Sequence, residues 1–385
     1  MRNIVFISAF LAFSFITKAQ PPVTKGLVSP EVLPDHSVIF RIKAPGAYSV
    51  QVTGTMRSDF KPIPMEKKDS GLFEVKIGPL ASGMYEYRFI LDSALVLDPN
   101  NKAVTRDGSY IENRLLVPGQ LGDLLDVQDV PHGMVSAVWY PSPTLHMNRR
   151  MYVYTPPGYE QGKEKYPVLY LFHGAGGDED GWISRGRANY ILDNLIASKA
   201  ALPMIIVITN GNPESMAAPM DRPLNANKEQ GGIGSMASQR FEESLVKDVV
   251  PFIEKSYRVQ ADAGHRAIAG LSMGGYQTQN ITNANPAMFS YIGVMSMGLL
   301  SAFGNNPGNY NREKHMEQLK ALVAAQPKLY WIGIGKDDFL YGTVTKLRSL
   351  YDEVGLKYIY RESEGNHVWN VWRLYLTEFA PKLFR

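Results

Sequence analysis

The hydrophobic period changes once along this chain, near residue 135, and that change constrains the fold more than any other feature. Before it, from about Val28 to Val117, short runs such as Ser37-Val38-Ile39-Phe40-Arg41-Ile42 and Tyr48-Ser49-Val50-Gln51-Val52 alternate apolar with polar residues. Alternation at period two buries one face of a strand and leaves the other to solvent or to a neighbour. Phe73-Glu74-Val75-Lys76-Ile77 and Tyr85-Glu86-Tyr87-Arg88-Phe89 continue the pattern around a hairpin position at Gly83, with Gly, Pro, Asp and Ser punctuating the runs. The reading is a small Ig-like β-sandwich over residues 20–118. Pro118, Gly119, Gly122, Pro131 and Gly133 then mark a linker over residues 119–134. Beyond it, Val168-Leu169-Tyr170-Leu171-Phe172 and Met204-Ile205-Ile206-Val207-Ile208 are unbroken apolar runs, as strands buried on both faces require. Phe241, Leu245, Val249, Phe252 and Ile253 form a helical stripe, as do Leu347, Leu350, Tyr351 and Val354, which Gly355 stops. Strands alternating with helices predict a three-layer α/β/α domain with a mostly parallel sheet over residues 135–385.

The chain has 385 residues, enough for two cores of unequal size. A net charge of +3 without a basic run points to neither nucleic acid nor an anionic membrane as partner. The first nineteen residues read as a signal peptide: Arg2, an apolar stretch from Ile4 to Ile16, and Thr17-Lys18-Ala19 before a cleavage site at Gln20. That stretch falls short of the roughly 20 apolar residues of a spanning helix. The expected destination is secreted or periplasmic, without a membrane anchor. Cysteine is absent, which excludes disulfides, a thiolate nucleophile, thiolate metal sites and a lipidated N-terminal cysteine.

Gly270-Leu271-Ser272-Met273-Gly274 has the spacing of a nucleophile elbow. A serine on a tight strand-to-helix turn needs glycine on both sides so that strand and helix can approach. Arg266-Ala267-Ile268-Ala269 before it reads as a strand, and Gly275 to Asn283 as a helix. A serine hydroxyl attacks only when a base takes its proton. Of seven histidines, His315 and His367 lie downstream of Ser272. His315 sits in a charged stretch, whereas His367 follows the strand Lys357-Tyr358-Ile359-Tyr360 and a Glu364-Gly365-Asn366 turn, on the edge where open α/β sheets carry their sites. His367 is therefore the expected base. The strand Leu329 to Ile334 ends at Gly335-Lys336-Asp337-Asp338, and one of the two aspartates is expected to orient the imidazole. Backbone N–H groups of Met273 and of Ala175 or Gly176, in the loop His173-Gly174-Ala175-Gly176-Gly177, are the expected oxyanion donors, with His173 shaping that loop. Neither metal nor organic cofactor is implied.

At these residues a resemblance becomes specific. His265 to Gly275 resembles the nucleophile region of esterase D-like α/β-hydrolases, in particular feruloyl esterases of carbohydrate esterase family one. Tyr154-Thr155-Pro156-Pro157-Gly158-Tyr159, His173-Gly174, Trp182, Arg187-Ala188-Asn189, Gly365-Asn366-His367 and Trp369 match in order. The family register over Gly335 to Leu340 favours Asp338 over Asp337. The front domain resembles family-48-like carbohydrate-binding modules at Gly83 to Phe89 and Asp98-Pro99-Asn100-Asn101, but no tryptophan precedes Trp139, so a structural role, as one wall of the site, is expected as readily as glycan binding. The resemblance implies an α/β-hydrolase cleaving hydroxycinnamate esters, with a small-molecule ester or feruloylated arabinoxylan as partner. Trp182 and Trp369 are candidates to hold the phenolic ring, with plain core packing as the alternative, and Asn212 to Met236 reads either as a wall or lid or as a surface loop with no role in binding. Acetyl-xylan esterase, enterochelin-type siderophore esterase and a glycan-binding protein with a relic hydrolase domain are the alternatives.

Overall fold

The computed structural model describes residues 26–219, 239–302 and 310–385. The expected signal peptide lies outside them. Its front part is two packed sheets. One carries strands Glu31–Val32, Val38–Lys43, Leu72–Ile77 and Glu66–Lys67 in spatial order. The other runs Ile63–Pro64, Val50–Gly54, Gly83–Leu91, Tyr110–Val117, Val104–Asp107, with Ala94–Val96 also on Gly83–Leu91. Alternate residues fill the space between: Val38, Phe40 and Ile42 from one sheet, Val52, Phe89, Leu115 and Val117 from the other. The polar half of the alternation in Gly83–Leu91 does not all face water. Met84 and Glu86 are buried against the second domain, so this strand is covered on both faces near its start.

A short helix, Gln120–Leu125, lies within the stretch read as linker, and its Leu121, Leu124 and Leu125 join the apolar cluster that Met84 enters. The eight-stranded sheet of the second domain follows. Its order is Met134–Ser142, Met147–Thr155, Ile205–Thr209, Val168–Phe172, Arg266–Leu271, Tyr291–Met295, Leu329–Gly335, Ile359–Ser363. The first two strands pair antiparallel, and the rest are parallel from Ile205–Thr209 onward.

Odd and even residues of the central strands enter different cores, which explains their unbroken apolarity. Val168, Tyr170 and Phe172 meet Phe241, Leu245, Ile281, Leu319 and Leu347 from helices on one face. Leu169 and Leu171 meet Ile191, Leu192, Trp372 and Leu376 from Ala188–Ala197 and Trp369–Phe379 on the other. The result is the three-layer α/β/α fold of the α/β-hydrolases behind a β-sandwich. Chain order reverses at Val168–Phe172, whose neighbours are the next strand on one side and the strand before Ser272 on the other. Ligand crevices of open sheets form at such a reversal.

Candidate active site

Strand Arg266–Leu271 delivers Ser272 directly into helix Met273–Ala284. The turn is so tight that Ser272 takes φ 51°, ψ −118°, which a side chain rarely tolerates. A bond of 2.8 Å from its N–H to the Met295 carbonyl holds it there. Gly270 and Gly274 make the turn possible: a Cβ on Gly270 would collide with the Gly274 backbone, and one on Gly274 would lie 2.6 Å from the His173 carbonyl.

Two strands further along the sheet, Asp338 is buried in the turn after Leu329–Gly335, accepting from the Leu340 N–H at 2.9 Å. Its two oxygens lie 3.0 and 2.9 Å from Nδ1 of His367. A carboxylate only accepts, so Nδ1 carries a proton, and in the neutral imidazole this tautomer leaves the lone pair on Nε2. The imidazole is fixed further by the edge of Trp372, with ring centres 5.0 Å apart, and Trp372 is itself anchored by its indole N–H to Ser296 Oγ at 2.9 Å. Of the two aspartates open to sequence reasoning, Asp338 meets the histidine, while Asp337 is exposed. Among the described residues Ser272 Oγ makes no hydrogen bond, to His367 or elsewhere. Such contacts commonly tighten only when substrate arrives.

The loop after Val168–Phe172 faces the serine: a Cβ on Gly174 would lie 3.3 Å from the Ser272 Cβ. Buried His173 accepts from the Gly211 N–H at 2.8 Å through Nε2, so Nδ1 carries the proton and donates to the Gly174 carbonyl at 2.7 Å. That pair of bonds shapes the loop. Ala175 and Gly176, the latter at φ 79°, are exposed at its tip, and Met273 N–H lies in the first turn of the helix that Ser272 starts.

Trp182 and Trp369 do not offer a face to an acyl group. They are 0% and 3% exposed, pack edge to face on each other at 5.0 Å, and donate their indole N–H groups to the Phe172 carbonyl and to Asp107 Oδ2. They are core, in the apolar cluster that also holds Met84, Leu169, Leu171 and Trp372. An exposed aromatic does stand beside the histidine: Phe339, 63% accessible, has its ring centre 4.5 Å from that of His367. Its place one residue after Asp338 was the available signal. The wall read over Asn212 to Met236 lies outside the described residues from 220 onward. Its first part is held by buried Arg149, which donates to the carbonyls of Asn210, Asn212 and Ser215. His315, read on a charged and solvated stretch, is half-buried: it pairs with Tyr310 and Asn283, and burial lowers its pKa.

The front domain reaches this site. Asn366, beside the catalytic candidate His367, donates to the Ser58 carbonyl at 2.7 Å. Among the described residues no cluster of His, Asp and Glu is arranged to hold a metal ion, and no helix is long and apolar enough to cross a membrane.

Fold and elbow together define an esterase-type α/β-hydrolase, and comparison with known proteins agrees. Residues 142–383 match the family model described as putative esterase, and the chain belongs to that family. Residues 37–120 match the model described as the glycogen recognition site of AMP-activated protein kinase. The chain is 30% identical over 352 residues to an endo-1,4-beta-xylanase/feruloyl esterase of Xylanibacter ruminicola, covering 90% of this chain but only 44% of that protein. A solved ferulic acid esterase superposes with TM-score 0.52 at 28% identity, over 65% of this chain and 97% of its own. The ferric enterobactin esterase of Salmonella typhimurium superposes with TM-score 0.62 at 16% identity, over 91% of this chain and 95% of its own. At that identity it speaks for the fold alone, front domain included.

Proposed function

We propose that this chain is a secreted serine carboxylic-ester hydrolase that releases ferulate-type hydroxycinnamates from plant arabinoxylan. The observation that carries the esterase reading is His367 hydrogen-bonded to buried Asp338 on the same sheet edge as the strained Ser272 elbow. The sequence relationship to a xylanase/feruloyl esterase supports the acyl group, and exposed Phe339 beside the imidazole suits an aromatic acid. Secretion rests on the reading of residues 1–19 as a signal peptide cleaved before Gln20.

In this reading Ser272 Oγ attacks the ester carbonyl while His367 Nε2 takes its proton, and Asp338 stabilises the imidazolium. The oxyanion accepts from the N–H of Met273 and of Ala175 or Gly176. The sugar alcohol leaves with the proton from Nε2. Water, deprotonated by the same nitrogen, then attacks the acyl-serine and releases the acid. No cofactor takes part.

Release of ferulate from methyl ferulate, acetate from acetylated xylan, and cleavage of enterobactin are measured on wild type and Ser272→Ala. Wild type is expected to favour ferulate, and Ser272→Ala to lose about 10⁴-fold or more in kcat. No ester cleavage by wild type, or a full rate in Ser272→Ala, sinks the esterase reading. Preference for enterobactin would favour the siderophore reading instead.

A further inference from the structure

The hairpin joining Val104–Asp107 to Tyr110–Val117 belongs to the β-sandwich, yet three consecutive residues at its tip grip the other domain. Arg106 makes a paired contact with Asp178, at 2.5 and 2.9 Å, reaches Asp180 at 3.1 Å, and sends its backbone N–H to Ser184 Oγ at 2.8 Å. All three acceptors lie just downstream of the Gly174 to Gly177 loop. Asp107 accepts the Trp369 indole N–H through Oδ2 at 2.8 Å, two residues beyond His367. Its other oxygen, Oδ1, is buried without a hydrogen-bond partner and faces the same loop: Cβ atoms built on Gly177 and Gly181 would lie 2.6 and 2.9 Å from it. Gly108, at φ 58°, packs so close to Gly176 that any Cβ would strike the Gly176 carbonyl oxygen.

An oxyanion hole works because its donors are fixed before charge develops, and a donor displaced or left mobile loses most of its effect. The loop bearing Ala175 and Gly176 has one fixed side, where His173 holds the Gly174 carbonyl. Its outer side is exposed glycine and alanine, which have no side chain with which to hold themselves. The hairpin tip closes that side and, through Trp369, also braces the segment carrying His367.

We propose that Arg106, Asp107 and Gly108 are positioning residues for ester hydrolysis: the sandwich domain sets the oxyanion loop and the histidine loop relative to each other. The proposal goes beyond the esterase reading and rests on it for the kinetic part of its test. It assigns the sandwich a role on substrates that carry no sugar at all.

The test uses the full chain and methyl ferulate, which offers no glycan to bind. Asp107→Ala is expected to lower kcat at least tenfold with KM within about twofold, since a lost or misplaced oxyanion donor costs about 10²–10³. Asp107→Asn, which keeps an acceptor for the Trp369 indole, is expected to recover most of the rate. Gly108→Ala should lower kcat in the same way. Hydrogen exchange is measured in parallel, and amides 174–181 should exchange faster in Asp107→Ala than in wild type at a temperature where both are folded. If wild type cleaves no ester, the esterase reading falls while the exchange result still judges the coupling. A folded Asp107→Ala with wild-type kcat and unchanged exchange at 174–181 overturns the proposal. So does a loss confined to the melting temperature, the mark of plain domain adhesion. Should Gly108→Ala fail to fold, the Asp107 pair decides.

Discussion

Two neighbouring carboxylates, Asp337 and Asp338, have the same chemistry and opposite surroundings. Asp338 is buried with both oxygens on His367, and Asp337 is exposed in the same turn. An amide at 338 still fits the space but can donate, which permits the imidazole tautomer with the proton on the wrong nitrogen. Asp338→Asn is therefore expected to lower kcat by about 10⁴-fold, and Asp337→Asn to stay within about twofold. Steady-state kinetics on one soluble ester checks both, and equal losses would unseat the buried carboxylate as orienting group. The sequence could not choose between the two without a family register, because burial depends on which way a two-residue turn points. For Trp182 and Trp369 it left substrate contact and plain packing both open, and the two rings pack on each other. An aromatic near a site in sequence carries no information about which of its faces is already covered.

Helix Met273–Ala284 and strand Val168–Phe172 approach each other through Gly274, where a Cβ would lie 2.7 Å from the Phe172 Cβ and 2.6 Å from the His173 carbonyl. Gly274→Ala must push the helix off the strand, and overpacking of this kind typically costs about 1–3 kcal/mol. Met273 N–H rides on that helix, so kcat is expected to fall further than stability predicts, by more than tenfold. Denaturant unfolding and kcat on the same preparation separate the two effects, and a variant as active as wild type would mean the helix start can shift without harm. At this scale much was legible in advance. The strands before Ser272 and Asp338 were read where they stand, the one before His367 was read over Lys357 to Tyr360 and lies at Ile359–Ser363, and Gly355 marked the end of helix Tyr341–Val354, where it stands at φ 73°. Strand Tyr291–Met295 and the antiparallel pair Met134–Ser142 and Met147–Thr155 were not singled out. An edge pair with one half-open face lacks the unbroken apolar signal of the interior strands.

Contact between the domains was the feature least open to sequence reasoning, since its partners stand far apart in the chain and look like ordinary surface charges. Glu86 on the sandwich is fully buried against Arg373 of helix Trp369–Phe379, with Oε1 2.6 Å from the guanidinium, and Arg185 lies 3.7 Å away. Arg373 also donates to the carbonyls of Arg185 and Met84 and to Asn370. Burial alone would push the Glu86 carboxyl up, but the two guanidiniums outweigh it and hold the carboxyl below its ordinary value. A carboxyl depressed in the folded state stabilises that state above its unfolded value, near 4.5, and loses the contribution as pH falls through the folded value. The stability of the intact molecule should therefore decline as pH drops below about 4.5, through the interface that braces the site. Glu86→Gln removes the charge and leaves Arg373 buried without it, at an expected cost of about 3 kcal/mol at pH 7. Because glutamine does not titrate in this range, the variant should lose less than wild type on going from pH 5 to pH 3. Calorimetric melts of both proteins across that interval decide the matter. Parallel acid limbs would mean that other carboxylates govern the loss, and that the Glu86–Arg373 pair does not link protonation to the joining of the two domains.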